Sequence, residues 1–230
     1  MNEIIENFLF FGAVVSILGY ELGLFLKARF RLAIFNPLLI SIAAVMIFLT
    51  VFHIDYGSYH VSAKYLSYLL TPATVCLAIP LYQQLELLKK HGGAIIAGTV
   101  TGVLTTMVSV LLMALLFHLN HEQYVTFLPK SITTAIGMGV SEEMGGIVTI
   151  TVACIIITGI LGSIIAEKVC RIFRITEPVA KGIAIGSSAH AIGTTKAMEM
   201  GEIEGAMSSL AIAVSGLCTV VFASVFAGLI

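Results

Sequence analysis

Six apolar runs, each about as long as a membrane is thick, leave this chain few folds to adopt. They fall near residues 7–26, 33–52, 66–85, 93–117, 147–167 and 206–229. A helix needs about 20 apolar residues to cross the hydrocarbon of a bilayer. Only 11% of the 230 residues are charged, against about 25% in soluble domains. A soluble core of this size could not bury so much apolar surface, so the solvent is lipid. Spanning β-barrels would show short segments of alternating apolar and polar residues, and no such alternation occurs. The chain reads as an all-α, polytopic membrane protein.

Within this apolar background one segment occurs twice. Residues 131–145 read SITTAIGMGVSEEMG and residues 187–201 read SSAHAIGTTKAMEMG. Offset by 56, they agree at seven positions of fifteen, at Ser, Ala-Ile-Gly and Glu-Met-Gly. Each copy is rich in glycine and hydroxyls, and each precedes a long apolar run. Paired, interrupted segments of this kind point to the binding site of a membrane transporter.

Basic residues give the orientation, since they accumulate on the cytoplasmic side. Lys27, Arg29 and Arg31 follow the first run, Lys89 and Lys90 the third, and Lys168, Arg171, Arg174 and Lys181 the fifth. The N-terminus is thereby expected outside the cell. Its sequence, MNEIIENF, lacks the basic start and cleavage site of a signal peptide, so the first run is expected to be a retained span. Segment 118–127 is then outside and 168–181 inside, an odd number of crossings apart. The run at 147–167 supplies one, so 128–146 should dip into the membrane and return. Its cousin, 183–201, should enter from the other face. The expectation is about six full transmembrane helices plus two re-entrant or broken segments arranged as an inverted pair. One membrane domain is expected over 1–230, with helices 1–120 as scaffold and 121–230 as the repeat-containing core.

Lipid cannot satisfy exposed backbone groups, so such dips must be sheltered by protein or a water-filled cavity. Candidate ligands follow. Ser131, Thr133 and Thr134 in the first copy, with Ser187, Ser188, Thr194 and Thr195 in the second, suit helix N-termini. The unpaired N–H groups and dipole there favour an anion. The same hydroxyls could instead satisfy turn backbone. Lys130 either serves that site or snorkels to the interface. Lys196 and Glu199, with Glu202, recur every third residue, which suits either a coupling role or a surface helix. Glu143 and its neighbour Glu142 could serve a coupling cation or sit at a loop rim. His190 is either a titrating group or a packed neutral ring.

The third run, containing Thr71 and Pro72, reads as a broken helix lining a cavity or a merely kinked one. Four cysteines without a C-x-x-C read as buried hydrophobes. His118 and His121 lack a carboxylate at metal-ligand spacing, so neither metal nor cofactor is expected. Ser187 or Ser188 with His190 has no nucleophile elbow and no third member, so the chain does not read as an enzyme. A net charge of −1 without a basic tail argues against nucleic acid.

Three stretches resemble the LrgB/CidB family of bacterial membrane proteins, which includes YohK-type members: TPATVCLAIPLYQQ (71–84), LPKSITTAIGMGVSEEMGGI (128–147) and KGIAIGSSAHAIGTTKAMEMGEIEGAMSSLA (181–211). The order of motifs agrees over essentially the whole chain. Ala135 and Val148 stand where the family pattern often carries proline. The resemblance implies transport of small monocarboxylates such as pyruvate or glycolate, or antiholin-like control of murein hydrolases and autolysis. It also implies a small LrgA/CidA-type membrane partner. Transport as a homodimer is the expectation, with Thr133, Thr134, Ser188 and Thr195 holding the anion and His190 and Lys196 tuning charge.

Overall fold

The computed structural model describes residues 10–30, 35–69, 72, 75, 76, 78–83 and 85–230, all helices and short connections. By contact the chain divides into two compact units, Met1–Cys76 and Leu77–Ile230. Among the described residues four helices are long and apolar enough to cross a membrane: Phe11–Phe30, Lys89–Leu116, Val148–Ile172 and Glu202–Ala227.

In the first unit, α1 (Phe11–Phe30) packs against α2 (Pro37–Val51) and α3 (Tyr56–Ser67). Small residues let the backbones approach, the usual means of helix association where no hydrophobic drive acts between helices. A Cβ on Gly12 would stand 2.5 Å from the Tyr59 carbonyl oxygen, and one on Gly23 would stand 2.6 Å from that of Pro37. The Gly12 N–H, an orphan of the first helical turn, donates to Ser62 Oγ at 2.7 Å. Asn36 caps α2, accepting from Leu38 N–H at 2.9 Å, with Pro37 in the first turn as expected. The run expected over 66–85 is not one described helix. The polar Tyr56–Ser67 stretch forms α3 instead, capped by Asp55, and Thr71 lies outside the described residues. Pro72 is exposed.

The second unit begins with the short α4 (Ala78–Gln83) and the 32-residue α5 (Leu85–Leu116). Then come α6 (His121–Phe127), α7 (Thr134–Glu143), α8 (Val148–Ile172), α9 (Pro178–Met200) and α10 (Glu202–Ala227). The first sequence copy thus folds as a turn followed by the short helix α7, with α6 just before it. Ten residues of helix rise about 15 Å, half a hydrocarbon core of about 30 Å, so α7 cannot cross alone. It approaches the segment before it at single glycines. A Cβ on Gly137 would lie 3.5 Å from the Pro129 carbonyl oxygen, and one on Gly146 would lie 3.1 Å from the Thr126 nitrogen.

The second copy lies within α9, which breaks at His190, where φ is 42° and ψ −141°. The chain doubles back there. A Cβ on Gly193 would lie 3.0 Å from Ile185 Cγ2 and 3.4 Å from the Ile185 carbonyl oxygen. Residues eight apart in a straight helix are about 12 Å apart, so the arms 178–189 and 191–200 run side by side. Both touch Ser208 of α10: Gly186 packs on its backbone, and Thr194 Oγ1 meets its hydroxyl at 2.7 Å.

The two hairpins enter from opposite ends of α10. At the base of the first, the Tyr124 hydroxyl donates to the Phe226 carbonyl at 2.9 Å, near the end of α10. At the base of the second, Lys181 pairs with Glu204, in the first turn of α10, at 3.8 Å. The repeat reaches beyond the matched residues. Shifting α8 by 56 would start it at Glu204, two residues from the observed start of α10 at Glu202.

Where a glycine lets the arms meet a neighbour, a methyl group should unfold the packing. Gly182→Ala would place its Cβ 2.7 Å from Met207 Cβ, an overpacking expected to cost about 1–3 kcal/mol. Thermal unfolding in detergent should show a lowered midpoint, whereas Gly139→Ala, with nothing within 4 Å of its added Cβ, should leave the midpoint unchanged or raise it.

Candidate functional site

Both hairpin tips meet α8 at Ile155. Its Cδ1 lies against Gly137 of the first hairpin, and its carbonyl oxygen accepts from the ring of His190, the tip of the second. Because a carbonyl only accepts, His190 Nε2 carries the proton in this 2.9 Å bond. Gly159 makes room for the ring, since a Cβ there would stand 2.7 Å from His190 Cε1. His190 is 2% exposed. The structure thus gives it a packed, positioning role at the tip.

Beside the tips lies a cavity of about 10 Å³, lined by Ser131 and Ile132 of the first tip, Ser187 of the second hairpin, Thr106 of α5 and Thr219 of α10. This is room for about one water. Ser131 and Ser187 are the repeat equivalents, 56 residues apart. Lys130 Nζ donates to Ser131 Oγ at 3.2 Å, which puts an ammonium one hydroxyl away from the cavity. Thr106 and Thr219 were not singled out from sequence. Lone threonines in apolar helices look alike, and only the fold distinguishes those that face the cavity.

The remaining hydroxyls divide by environment. Thr133 caps α7 by position but makes no side-chain cap, and Thr134 opens the helix, half-buried. Ser187, Ser188 and Thr195 do not stand at helix N-termini as expected. They lie inside the arms of α9 and donate back to the carbonyls of Ile183, Ala184 and Ile192 at 2.7, 2.6 and 2.7 Å. A serine or threonine in a helix satisfies its proton this way at little cost. Thr194 is fully buried and donates to the His190 carbonyl at 2.9 Å, so Ser208 donates to Thr194. A matching pair holds the first hairpin. Thr151 of α8 donates to the Thr126 carbonyl at 2.9 Å and receives the Ser141 proton at 2.7 Å. Each hairpin's second arm is therefore tied to the long helix that follows it.

Lys196 lies away from the tips. It pairs with Glu167 of α8 at 2.6 Å and with Glu199 at 3.3 Å. Its partners are half exposed, so these links contribute at most about 1 kcal/mol. Glu202 belongs to α10, so the expected three-residue spacing does not form one helical face. Glu143 is exposed. Among the described residues no group of three His, Cys, Asp or Glu could hold a metal.

The buried hydroxyl ties should dominate the local energetics. Thr151→Val would leave both the Ser141 hydroxyl and the Thr126 carbonyl short of a partner, costing about 1–3 kcal/mol. Thr101→Val, at an exposed, back-bonded hydroxyl, should change the unfolding midpoint little. A denaturation series comparing the two would check this.

Residues 16–229 match the pattern of the LrgB-like family. An antiholin-like protein LrgB from Bacillus mycoides is 36% identical over 218 residues, 94% of this chain and 95% of the relative. Proteins of the same name from Bacillus cereus and Bacillus anthracis are 35% identical over the same shares. No solved structure matches.

Proposed function

The chain belongs to the LrgB-like family of antiholin-like membrane proteins, and on that premise we propose that it carries small monocarboxylates, pyruvate or glycolate among them, across the cell membrane. The observation that supports this most is the cavity shared by Ser131 and Ser187 with the Lys130 ammonium beside it. A serine hydroxyl from each hairpin and a nearby cation suit one carboxylate, with Ser187 turning its proton from the Ile183 carbonyl to the ligand. Thr133, Thr134 and the first N–H groups of the arm after His190 complete the donor set. In this reading the hairpins are re-entrant, an inverted pair meeting near mid-membrane, with the N-terminus outside.

The cavity as it stands is too small for pyruvate. Binding requires one hairpin to move, which is alternating access. Two hairpins tied to different long helices can rock separately about the Ile155 contact. Thr195, Lys196, Glu143 and Glu199 lie away from the cavity, so a coupling role for them would act at the hairpin bases. A homodimer and an LrgA/CidA-type partner complete the proposal, with one membrane domain over 1–230. The relatives' name supports a second reading, in which the protein regulates murein hydrolases and autolysis without transport of its own.

Labelled pyruvate uptake into proteoliposomes, with and without such a partner, separates the two. Transport predicts saturable uptake that Ser131→Ala or Ser187→Ala reduces about tenfold, the scale of one lost hydrogen bond to a charged ligand. Regulation alone predicts no uptake in any reconstitution, while autolysis still responds to the protein. Topology is checked by thiol labelling of Glu122→Cys and Thr176→Cys, which should react from opposite faces of the membrane.

A further inference from the structure

A groove of about 800 Å³ runs along the seam between α5 and the first arm of α9. Its deep end is lined by Thr106 and Ser187, the same two residues that wall the small cavity between the tips. Its shallow end reaches His91, near the start of α5, and Glu177, which precedes α9. Between them hydroxyls stand on both walls, Thr101 and Thr105 on α5 and Ser188 on α9. The opposite end of the unit is filled. Val103, Met107, Val110, Tyr124, Leu128 and Val140 belong to one buried apolar cluster there.

The geometry points to this groove as a water-filled half-channel, the cytoplasmic leg of the substrate's route, closed from the binding cavity only by the Thr106–Ser187 constriction. The inference rests on the transport reading above and adds the path, its side and its gate. Three observations support it. The groove and the cavity share Thr106 and Ser187 as walls. The hydroxyls of Thr101, Thr105 and Ser188 stand along its two walls, each donating back to its own helix with an oxygen left to accept from water. And its mouth carries a carboxylate and an imidazole, on the end of the unit where the basic connections at 89–90 and 168–181 also lie. The walls carry no fixed charge until the mouth, so a small solute would pass along them with its water. The constriction, with Thr106 on a long helix and Ser187 on a hairpin arm, opens when the arm shifts along α5. That contact is tight, since a Cβ on Gly102 would stand 2.9 Å from Ser187 Oγ.

The test uses the full-length protein with Cys76, Cys154, Cys170 and Cys218 replaced, carrying Thr105→Cys, Ser188→Cys or, for comparison, Leu112→Cys, exposed on α5 outside the groove. Each is treated with a charged, membrane-impermeant thiosulfonate in right-side-out and inside-out vesicles, with and without pyruvate. The half-channel predicts modification at 105 and 188 from the cytoplasmic face only, at least tenfold faster than at 112. Pyruvate should slow it, and modification should block uptake. Reaction of 105 and 188 only with a lipid-soluble maleimide would overturn the inference, because the groove would then face lipid or protein, while uptake itself could stand. Equal labelling from both faces, or labelling that leaves uptake intact, would also overturn it. One-sided, impermeant labelling in a protein that takes up no pyruvate would keep the water-filled half-channel and remove the transport reading.

Discussion

A helix break in a membrane protein needs a partner for every backbone group it frees, and that constraint shapes the second unit. The break at His190 is held by contacts too close for ordinary side chains. Gly186 and Gly182 let α10 press against the first arm, Gly193 lets the second arm lie along Ile185, and Gly159 of α8 admits the His190 ring. The polar remainder is handled by hydroxyls. Thr194 takes the His190 carbonyl and Ser208 takes Thr194. Around the first hairpin, Thr126, Thr151 and Ser141 do the same work.

Repetition turns this local device into a site. Two hairpins of like sequence come from opposite ends of α10, and their tips reach the middle of α8, at Ile155 and Gly159. Equivalent serines, Ser131 and Ser187, then face one small space, while α5 contributes Thr106 and α10 Thr219. The ion pairs at Lys181 and Lys196 sit at the base of the second hairpin, remote from that space. The Lys196 pairs, with half-exposed carboxylates, are the weak ones, whereas the Glu204 partner of Lys181 is buried.

Much of this is written in the sequence where physics is additive. Long apolar runs became α1, α5, α8 and α10, since length and hydropathy suffice to specify a span. The 56-residue offset marked the two interrupted segments. Other features depend on contacts that no window of residues reports. Tyr56–Ser67 forms a polar helix largely outside the six apolar runs, with Asp55 supplying a cap that composition does not advertise. Ser187 and Ser188 are adjacent and chemically identical, yet one is buried at the cavity and the other exposed in the groove. His190 carries the break through a positive φ that asparagine or glycine would ordinarily signal. Its partner, a backbone carbonyl 35 residues earlier, has no sequence signature at all.

The central claim is that the two tips face each other across one cavity. Disulfide formation between Ser131→Cys and Ser187→Cys, in protein freed of its four native cysteines, tests it most directly. Thr194→Cys with Ser208→Cys serves as the reference pair, its native hydroxyls being 2.7 Å apart. Mild oxidation in the membrane should link residues 131 and 187 within one chain as completely as the reference. A linked reference pair beside unlinked 131 and 187 would contradict the account.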